Sequence, residues 1–159
     1  MIKAIAAMDN NRLIGRGGGL PWPTIKEDFQ WFKTFTANQY LVVGSTTYKT
    51  LPPLPGRKLL VLTDSFQDRW FNPVNDTAMC TVSLFDVLGI AEKRDVIVIG
   101  GAKTYALFMD FISEFYVTHV NGSYEGDTYM PPFSDSLNQT TLIASLEQGH
   151  KIFRYTRSK

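Results

Sequence analysis

Short runs of consecutive apolar residues punctuate the chain: Ile2–Met8, Tyr40–Val43, Lys58–Leu62, Asp95–Ile99 and Phe115–Val120. Each run predicts a β-strand. Between them, apolar positions recur at helical spacing over Ile25–Thr36, in a short stretch after Gly44, over Leu84–Ala91 and over Ala102–Ile112. In Val96-Ile97-Val98-Ile99 every successive residue is apolar, the pattern of a strand covered on both faces. Strand alternating with helix predicts an α/β fold: a mostly parallel, twisted central sheet flanked by helices, with right-handed crossovers. The end of the chain breaks this alternation. Thr140–Leu146 and His150–Thr156 predict two strands joined around Gln148-Gly149, an antiparallel C-terminal hairpin added at one edge. Two stretches follow neither period. Asp64–Asp76 is polar and irregular, and Asp9–Pro23, with Gly15, Gly17, Gly18 and Gly19, predicts a mobile loop over the mouth of the sheet.

The 159 residues fit one domain, 1–159, and the 44% hydrophobic and 13% aromatic content is enough for a packed core. No window approaches the roughly 20 apolar residues that span a bilayer. Ile2–Met8 is too short and poorly flanked for a signal peptide, so a soluble cytoplasmic protein is expected. Sixteen basic against fifteen acidic residues leave a net charge of +1, which argues against nucleic-acid or membrane-surface partners. Cys80 is the only cysteine, and with two histidines beside it a zinc site is not expected; no metal is assigned. A Ser–His or Cys–His relay has only His119 and His150 to draw on. What remains is chemistry run by a carboxylate or by an organic cofactor.

Thr24-Ile25-Lys26-Glu27 has the form of a capping box, with Thr24 at the N-cap and Glu27 at the third helical position. On the helix that follows, Ile25, Asp28, Phe29, Phe32 and Phe35 share one face. Asp28 is the odd member. A carboxylate on a buried stripe costs on the order of several kcal/mol unless it is paired or neutralised, and no Lys or Arg stands beside it at helical spacing. It either sits wet near the helix start, favoured by the macrodipole, or lines an apolar cleft and meets a donor ligand there. In the cleft, desolvation raises its pKa toward the working range of a proton donor.

Val96-Ile97-Val98-Ile99-Gly100-Gly101-Ala102 runs from strand through a glycine pair into helix, where free N–H groups suit a phosphate; a tight strand-to-helix turn explains the pair equally well. It is not a GxGxxG fingerprint, because Thr104 occupies the later position. Gly44-Ser45-Thr46-Thr47 repeats the arrangement, with hydroxyls that cap a helix or hold a phosphate. Two such strand ends in one parallel sheet favour an extended ligand lying across them. Pro52-Pro53-Leu54-Pro55-Gly56-Arg57 is a rigid turn. Its Arg57 is either an exposed arginine opening a strand or a bidentate grip on a carboxylate. His119 reads as structural or solvent-facing.

Taken in order, Ile2–Ala7, Ile14-Gly15, Leu20-Pro21-Trp22, Asp28, Trp31-Phe32-Lys33, Pro53-Leu54-Pro55-Gly56-Arg57, Val98-Ile99-Gly100-Gly101, Tyr105, Tyr116-Val117-Thr118-His119 and Glu125-Gly126-Asp127-Thr128 resemble the dihydrofolate reductase family. The C-terminal hairpin fits the family as well. The resemblance implies hydride transfer from NADPH to 7,8-dihydrofolate, giving tetrahydrofolate for one-carbon metabolism, by a monomeric enzyme. It implies that Asp28 hydrogen-bonds the pterin and, with a water held by Trp22, favours protonation at N5. Thr118 would steady the carboxylate. Ile5, Leu20, Phe32, Leu51 and Leu54 would wall the rings, Arg57 would clamp the glutamate carboxylate, and Lys33 joins the substrate set. Ala7, Ile14 and Gly15 would face the nicotinamide beneath the glycine-rich lid. Ser45, Thr46, Thr47, Thr63, Asp64, Ile99, Gly100, Gly101, Ala102, Lys103, Thr104 and Tyr105 would hold the ribose and phosphates, with a cis Gly100–Gly101 bond.

Three departures stand out. One extra residue separates Trp22 from the acid, so counting from Trp22 alone lands on Glu27; the Trp31-Phe32-Lys33 register selects Asp28. Many family members carry an arginine at position 45, where this chain has Ser45. Asp64 would repel a 2′-phosphate and suit a free 2′-hydroxyl, which leaves the choice between NADPH and NADH open. Two other readings share the fold. The pyrimidine reductase of riboflavin synthesis would need neither Trp22 and Asp28 in an apolar pocket nor Arg57 for a glutamate tail. A non-catalytic nucleotide-binding protein would need no acid at all.

Overall fold

Apolar runs alternating with helical segments become one eight-stranded sheet covered on both faces in the computed structural model, which describes residues 1–62 and 78–158. In chain order the elements are β1 (Ile2–Met8), β2 (Leu13–Gly15), α1 (Lys26–Thr36), β3 (Tyr40–Gly44), α2 (Ser45–Tyr48), β4 (Lys58–Leu62), β5 (Ala78–Val82), α3 (Leu84–Ala91), β6 (Val96–Gly100), α4 (Ala102–Phe108), β7 (Glu114–His119), β8 (Thr128–Tyr129), β9 (Gln139–Ser145) and β10 (Lys151–Thr156). The strand order is β5-β4-β3-β6-β1-β7-β10-β9. All pairings are parallel except those that β10 makes with β7 and with β9. The predicted edge hairpin is therefore present, turned through Gln148 and Gly149 at φ 61° and 82°.

Continuous apolar strands are explained by two cores, one on each face. Val42, Leu60, Val98 and Val117 point to the side where α3 contributes Val87 and α4 contributes Phe108. Ile5, Leu41, Val43, Val61 and Ile97 point to the other side, against Trp31, Phe32 and Phe35 of α1 and Tyr48 of α2. The candidate residues Ile5, Phe32, Leu51 and Leu54 lie on this second side.

Several local expectations are corrected. The Thr24–Glu27 capping box does not form: α1 starts at Lys26, its N-cap is Ile25, and no side chain caps it. Glu27 instead accepts the Glu147 N–H at 2.8 Å, a distant backbone donor taking the carboxylate that the local motif would have used. The capping box that does form is Ser83 with Asp86, at α3. With α1 starting at Lys26, Phe29 turns outward and is 53% exposed. Trp31 takes its place, its ring 5.1 Å from Phe35 and 5.9 Å from Tyr116. The α4 helix ends at Phe108 rather than Ile112, where a tight turn returns the Phe111 and Ile112 N–H groups to the Phe108 carbonyl.

The glycine-rich stretch Asp9–Pro23 carries more structure than its composition predicts. The buried Asp9 carboxylate accepts the N–H groups of Asn11, Leu13 and Tyr124, which fixes where β2 leaves β1. β2 then pairs with β8, and Arg16 bridges to Gly19. The stretch Asp64–Asp76, with Thr63 and Asp64 of the cofactor set, lies outside the described residues.

Gly126 approaches β2 so closely that a Cβ there would run into the Gly15 carbonyl oxygen and the Leu13 methyl groups. Gly126→Ala is expected to prise this small pair of strands apart and cost about 1–3 kcal/mol by overpacking. Denaturant unfolding measures it, and an unchanged midpoint would mean that the contact yields freely.

Candidate active site

Asp28 stands on the first turn of α1, facing the sheet and half-buried. Its Oδ1 accepts the hydroxyl of Thr118, on β7, at 2.5 Å, and Thr118 is itself 1% exposed. Burial holds the carboxyl above the ordinary carboxylate range; the Thr118 hydrogen bond and the nearby His150 pull it partly back. Among the described residues no Lys or Arg forms an ion pair with it. Around it lie buried Ile5 and Leu54, with Phe32, Leu51 and Trp31 packed on the same cluster. Trp22 is buried, edge-on to Tyr124 at 5.9 Å. Of the two sequence readings of Asp28, the structure shows it near the helix N-terminus and half-buried.

Arg57 follows the proline turn and is buried, not exposed. Its guanidinium donates to the carbonyls of Pro55 at 3.0 Å and Lys33 at 3.1 Å, so backbone on two sides fixes the fork. Its buried Nε–H has no hydrogen-bond partner among the described residues. A fork held this way, with donors to spare, suits a carboxylate. Beside it opens a groove of about 460 Å³ lined by Gln30, Lys33, Thr34, Asn38 and the Pro55-Gly56 turn. The Lys33 ammonium lies 5.8 Å from the Phe29 ring centre, on the solvent side.

Across the sheet, β3 and β6 end side by side, with Val43 paired to Gly100. A Cβ on Gly44 would come 2.7 Å from the Thr104 hydroxyl oxygen, and one on Gly101 2.7 Å from that of Thr47. Each turn thus needs glycine because the other's threonine fills the space. The Gly100–Gly101 bond is cis. Neither α2 nor α4 has a side-chain N-cap, so the N–H groups around Ser45, Thr46, Thr47, Ala102, Lys103 and Thr104 face outward from both helix starts. Ile99 lies half-buried one residue before this crossing. Tyr105 plays another part: its buried hydroxyl donates to the Ile5 carbonyl at 2.7 Å, pinning α4 to β1, and burial pushes its pKa up.

Ala7 pairs with Thr118 at the cleft, and Ile14 and Gly15 enter from β2. Leu20 is not brought in: the Arg16–Gly19 bridge closes just before it and leaves it 61% exposed. Asp127, quoted only as part of a motif, proves to be an anchor. Its N–H donates to the Gly15 carbonyl at 3.0 Å and its Oδ2 accepts the Gly17 N–H at 3.0 Å. The Gly17 bond, then that of Thr128, holds its carboxyl below the usual range. The Glu125-Gly126-Asp127-Thr128 stretch is its trace in the sequence.

A half-buried acid on the helix packed against the apolar cluster, a buried arginine and a glycine-lined crossing of two strand ends fit an α/β enzyme of the dinucleotide-using kind. The family model described as dihydrofolate reductase matches residues 1–156. The dihydrofolate reductase of Bacillus subtilis (strain 168) is 36% identical over 155 residues, covering 95% of this chain and 86% of that protein. That of Mycoplasma pneumoniae is 34% identical over 165 residues, covering 97% of this chain and 100% of that protein. Among solved structures, dihydrofolate reductase from Enterococcus faecalis complexed with NADP(H) and RAB-propyl superposes with a TM-score of 0.82 at 27% identity, covering 100% of this chain and 97% of that one. The chain belongs to the dihydrofolate reductase family.

Proposed function

We infer that this chain is an NADPH-dependent oxidoreductase that reduces 7,8-dihydrofolate to 5,6,7,8-tetrahydrofolate, with Asp28 as its proton-handling group. The observation that carries the reading is the Asp28–Thr118 pair, a half-buried carboxyl that forms no ion pair with Lys or Arg among the described residues and stands on the helix packed on the apolar cluster. Bound NADPH supplies the hydride. Asp28 binds the amidine edge of the pterin and, through a water beside Trp22, delivers a proton to N5. The ring then accepts hydride at the neighbouring carbon. Thr118 holds Oδ1 and so leaves Oδ2 to face the ligand. Ile5, Phe32, Leu51 and Leu54 exclude water, which strengthens each polar contact inside. Arg57 takes the glutamate carboxylate, and the paired turns after β3 and β6 take the ribose and phosphates.

Loss of reduced-nicotinamide absorbance with dihydrofolate tests the reading. Turnover is expected with dihydrofolate and not with a ribosylated pyrimidine; the reverse would move the chain to the riboflavin-pathway branch of the fold. We propose also that it works as a cytoplasmic monomer. In support, its exposed large apolar side chains are scattered over α1 (Phe29), α3 (Phe85) and β9 (Leu142). No helix among the described residues is long and apolar enough to cross a membrane.

The Asp127 anchor gives a further expectation. Asp127→Ala removes the side-chain tether on Gly17, so the Gly15–Gly19 loop is less firmly held at the nicotinamide side. Single-turnover hydride transfer is expected to slow about tenfold or more, as misplacement at a reacting centre does. Folate KM should change far less, and a matched loss in KM would place Asp127 in the substrate site instead.

A further inference from the structure

Asp9 follows the end of β1, is 2% exposed and has no part in the chemistry above. Among the described residues no Lys or Arg forms an ion pair with it. A buried carboxylate without a cation must be met by hydrogen-bond donors, and its donors are backbone N–H groups from two sides. Oδ1 accepts those of Asn11 at 2.8 Å and Leu13 at 2.9 Å, on its own turn. Oδ2 accepts the Tyr124 N–H at 2.8 Å, 115 residues further along the chain. The two arms do different work. The first shapes the turn into β2. The second joins that turn to the 121–124 loop, where the Asn10 N–H also donates to the Gly122 carbonyl at 3.0 Å.

Tyr124 carries the link onward. Its ring lies over Gly122, where a Cβ would come within 3.2 Å of it. The same ring meets Trp22 edge-on at 5.9 Å, and among the described residues no other aromatic ring pairs with Trp22. Residues 20–24 make no backbone–backbone hydrogen bond among the described residues, so packing fixes the buried indole. We propose that Asp9 is a positioning residue for Trp22: its Oδ2 holds the Tyr124 backbone, and the Tyr124 ring seats the indole that holds the water serving Asp28. The inference rests on the reading of Trp22 as the holder of that water.

The arrangement lets one substitution open a single arm. In Asp9→Asn the amide oxygen stays with the Asn11 and Leu13 N–H groups, because the reverse orientation sets the NH2 against both of them. The NH2 then faces the Tyr124 N–H, donor against donor, and that bond is lost. Tyr124→Leu breaks the chain one step later, at the ring, and keeps the N–H. Tyr124→Phe restores the ring.

Two measurements test the link: single-turnover hydride transfer, and the Trp22 indole 1H–15N resonance, identified by its loss in Trp22→Phe. Asp9→Asn and Tyr124→Leu should each slow hydride transfer about tenfold at neutral pH, as a misplaced group at a reacting centre does. Folate KM should stay near wild type. The deficit should shrink in acid, where solvent replaces the held water as proton source. The double variant should be no slower than the slower single one, because both break one path. Tyr124→Phe should regain most of the rate that Tyr124→Leu loses, and the indole resonance should move in Asp9→Asn. A deficit equal at every pH, losses that multiply in the double variant, or an unmoved indole in Asp9→Asn overturns the proposal. If Asp9→Asn does not fold, an ester oxygen in place of the Tyr124 N–H removes the same bond with Asp9 and the ring intact, and the same outcomes decide. Failure of the Trp22 reading looks different. Trp22→Phe itself would then keep the wild-type rate and take the proposal with it, whereas a slow Trp22→Phe beside a fast Asp9→Asn places the failure in the link.

Discussion

Asp28→Asn should slow hydride transfer at neutral pH by about 10²–10⁴-fold, the usual yield of a positioned acid, and lowering the pH should restore part of the loss. The size follows from isolation. Asp28 shares α1 with Phe32, which packs on the Ile5 and Leu54 cluster, and no Lys or Arg among the described residues forms an ion pair with it. Burial raises its pKa, so a protonated fraction persists toward neutral pH, and the wild-type rate should fall as pH rises through that raised value. The amide keeps the shape and the Thr118 contact but cannot cycle a proton, leaving solvent as the only source. Stability should move the other way. An acid whose folded pKa exceeds its unfolded one binds more protons in the native state, so its contribution to stability declines as pH rises. Asp28→Asn should therefore melt higher than wild type at neutral pH, with the gap closing in acid. A slow variant that also melts lower would mean that the substitution damages the fold, and the kinetic loss would then say nothing of proton transfer.

Much of this arrangement could be read from residue order because it depends on burial. Strands β1 and β4 and helix α3 have the predicted bounds, and β3, β6 and β7 shift by a single residue, since parallel strands covered on both faces must be continuously apolar. Asp28 stood out for the same reason: a charge on an apolar helical face is an energetic conflict that demands an explanation. Strand β5 (Ala78–Val82) falls outside the predicted runs and α4 stops early at a local turn, but most other losses are long-range. The two- and three-residue strands β8 and β2 show no period of their own and exist by pairing with each other. Glu27 matched a local capping signature, yet its carboxylate went to a donor 120 residues away. Leu20 belonged to the right motif, but the Arg16–Gly19 bridge decides which way it points.

Arg57→Leu should weaken dihydrofolate binding by about 10- to 100-fold, from the roughly 1.5–3 kcal/mol that a hydrogen bond to a charged group is worth. A pterin lacking the glutamate should be reduced at nearly the wild-type rate. This contrast separates two roles that one side chain combines. The guanidinium ties Pro55 to Lys33 through their carbonyls, so its removal also loosens the turn against α1 and leaves two acceptors unpaired. If that bracing were its only work, both substrates would suffer alike, because Leu54 and Phe32 would shift under either ring. The unpartnered Nε–H argues for more than bracing, since a buried donor left empty costs free energy that a ligand carboxylate would recover. Arg57→Lys sharpens the test. A lysine keeps the charge but cannot reach both carbonyls and still offer a planar fork, so it should recover long-range attraction for the carboxylate and little of the affinity. Full recovery by lysine would mean that charge alone holds the tail, and that the fork geometry set by the proline turn serves only the fold.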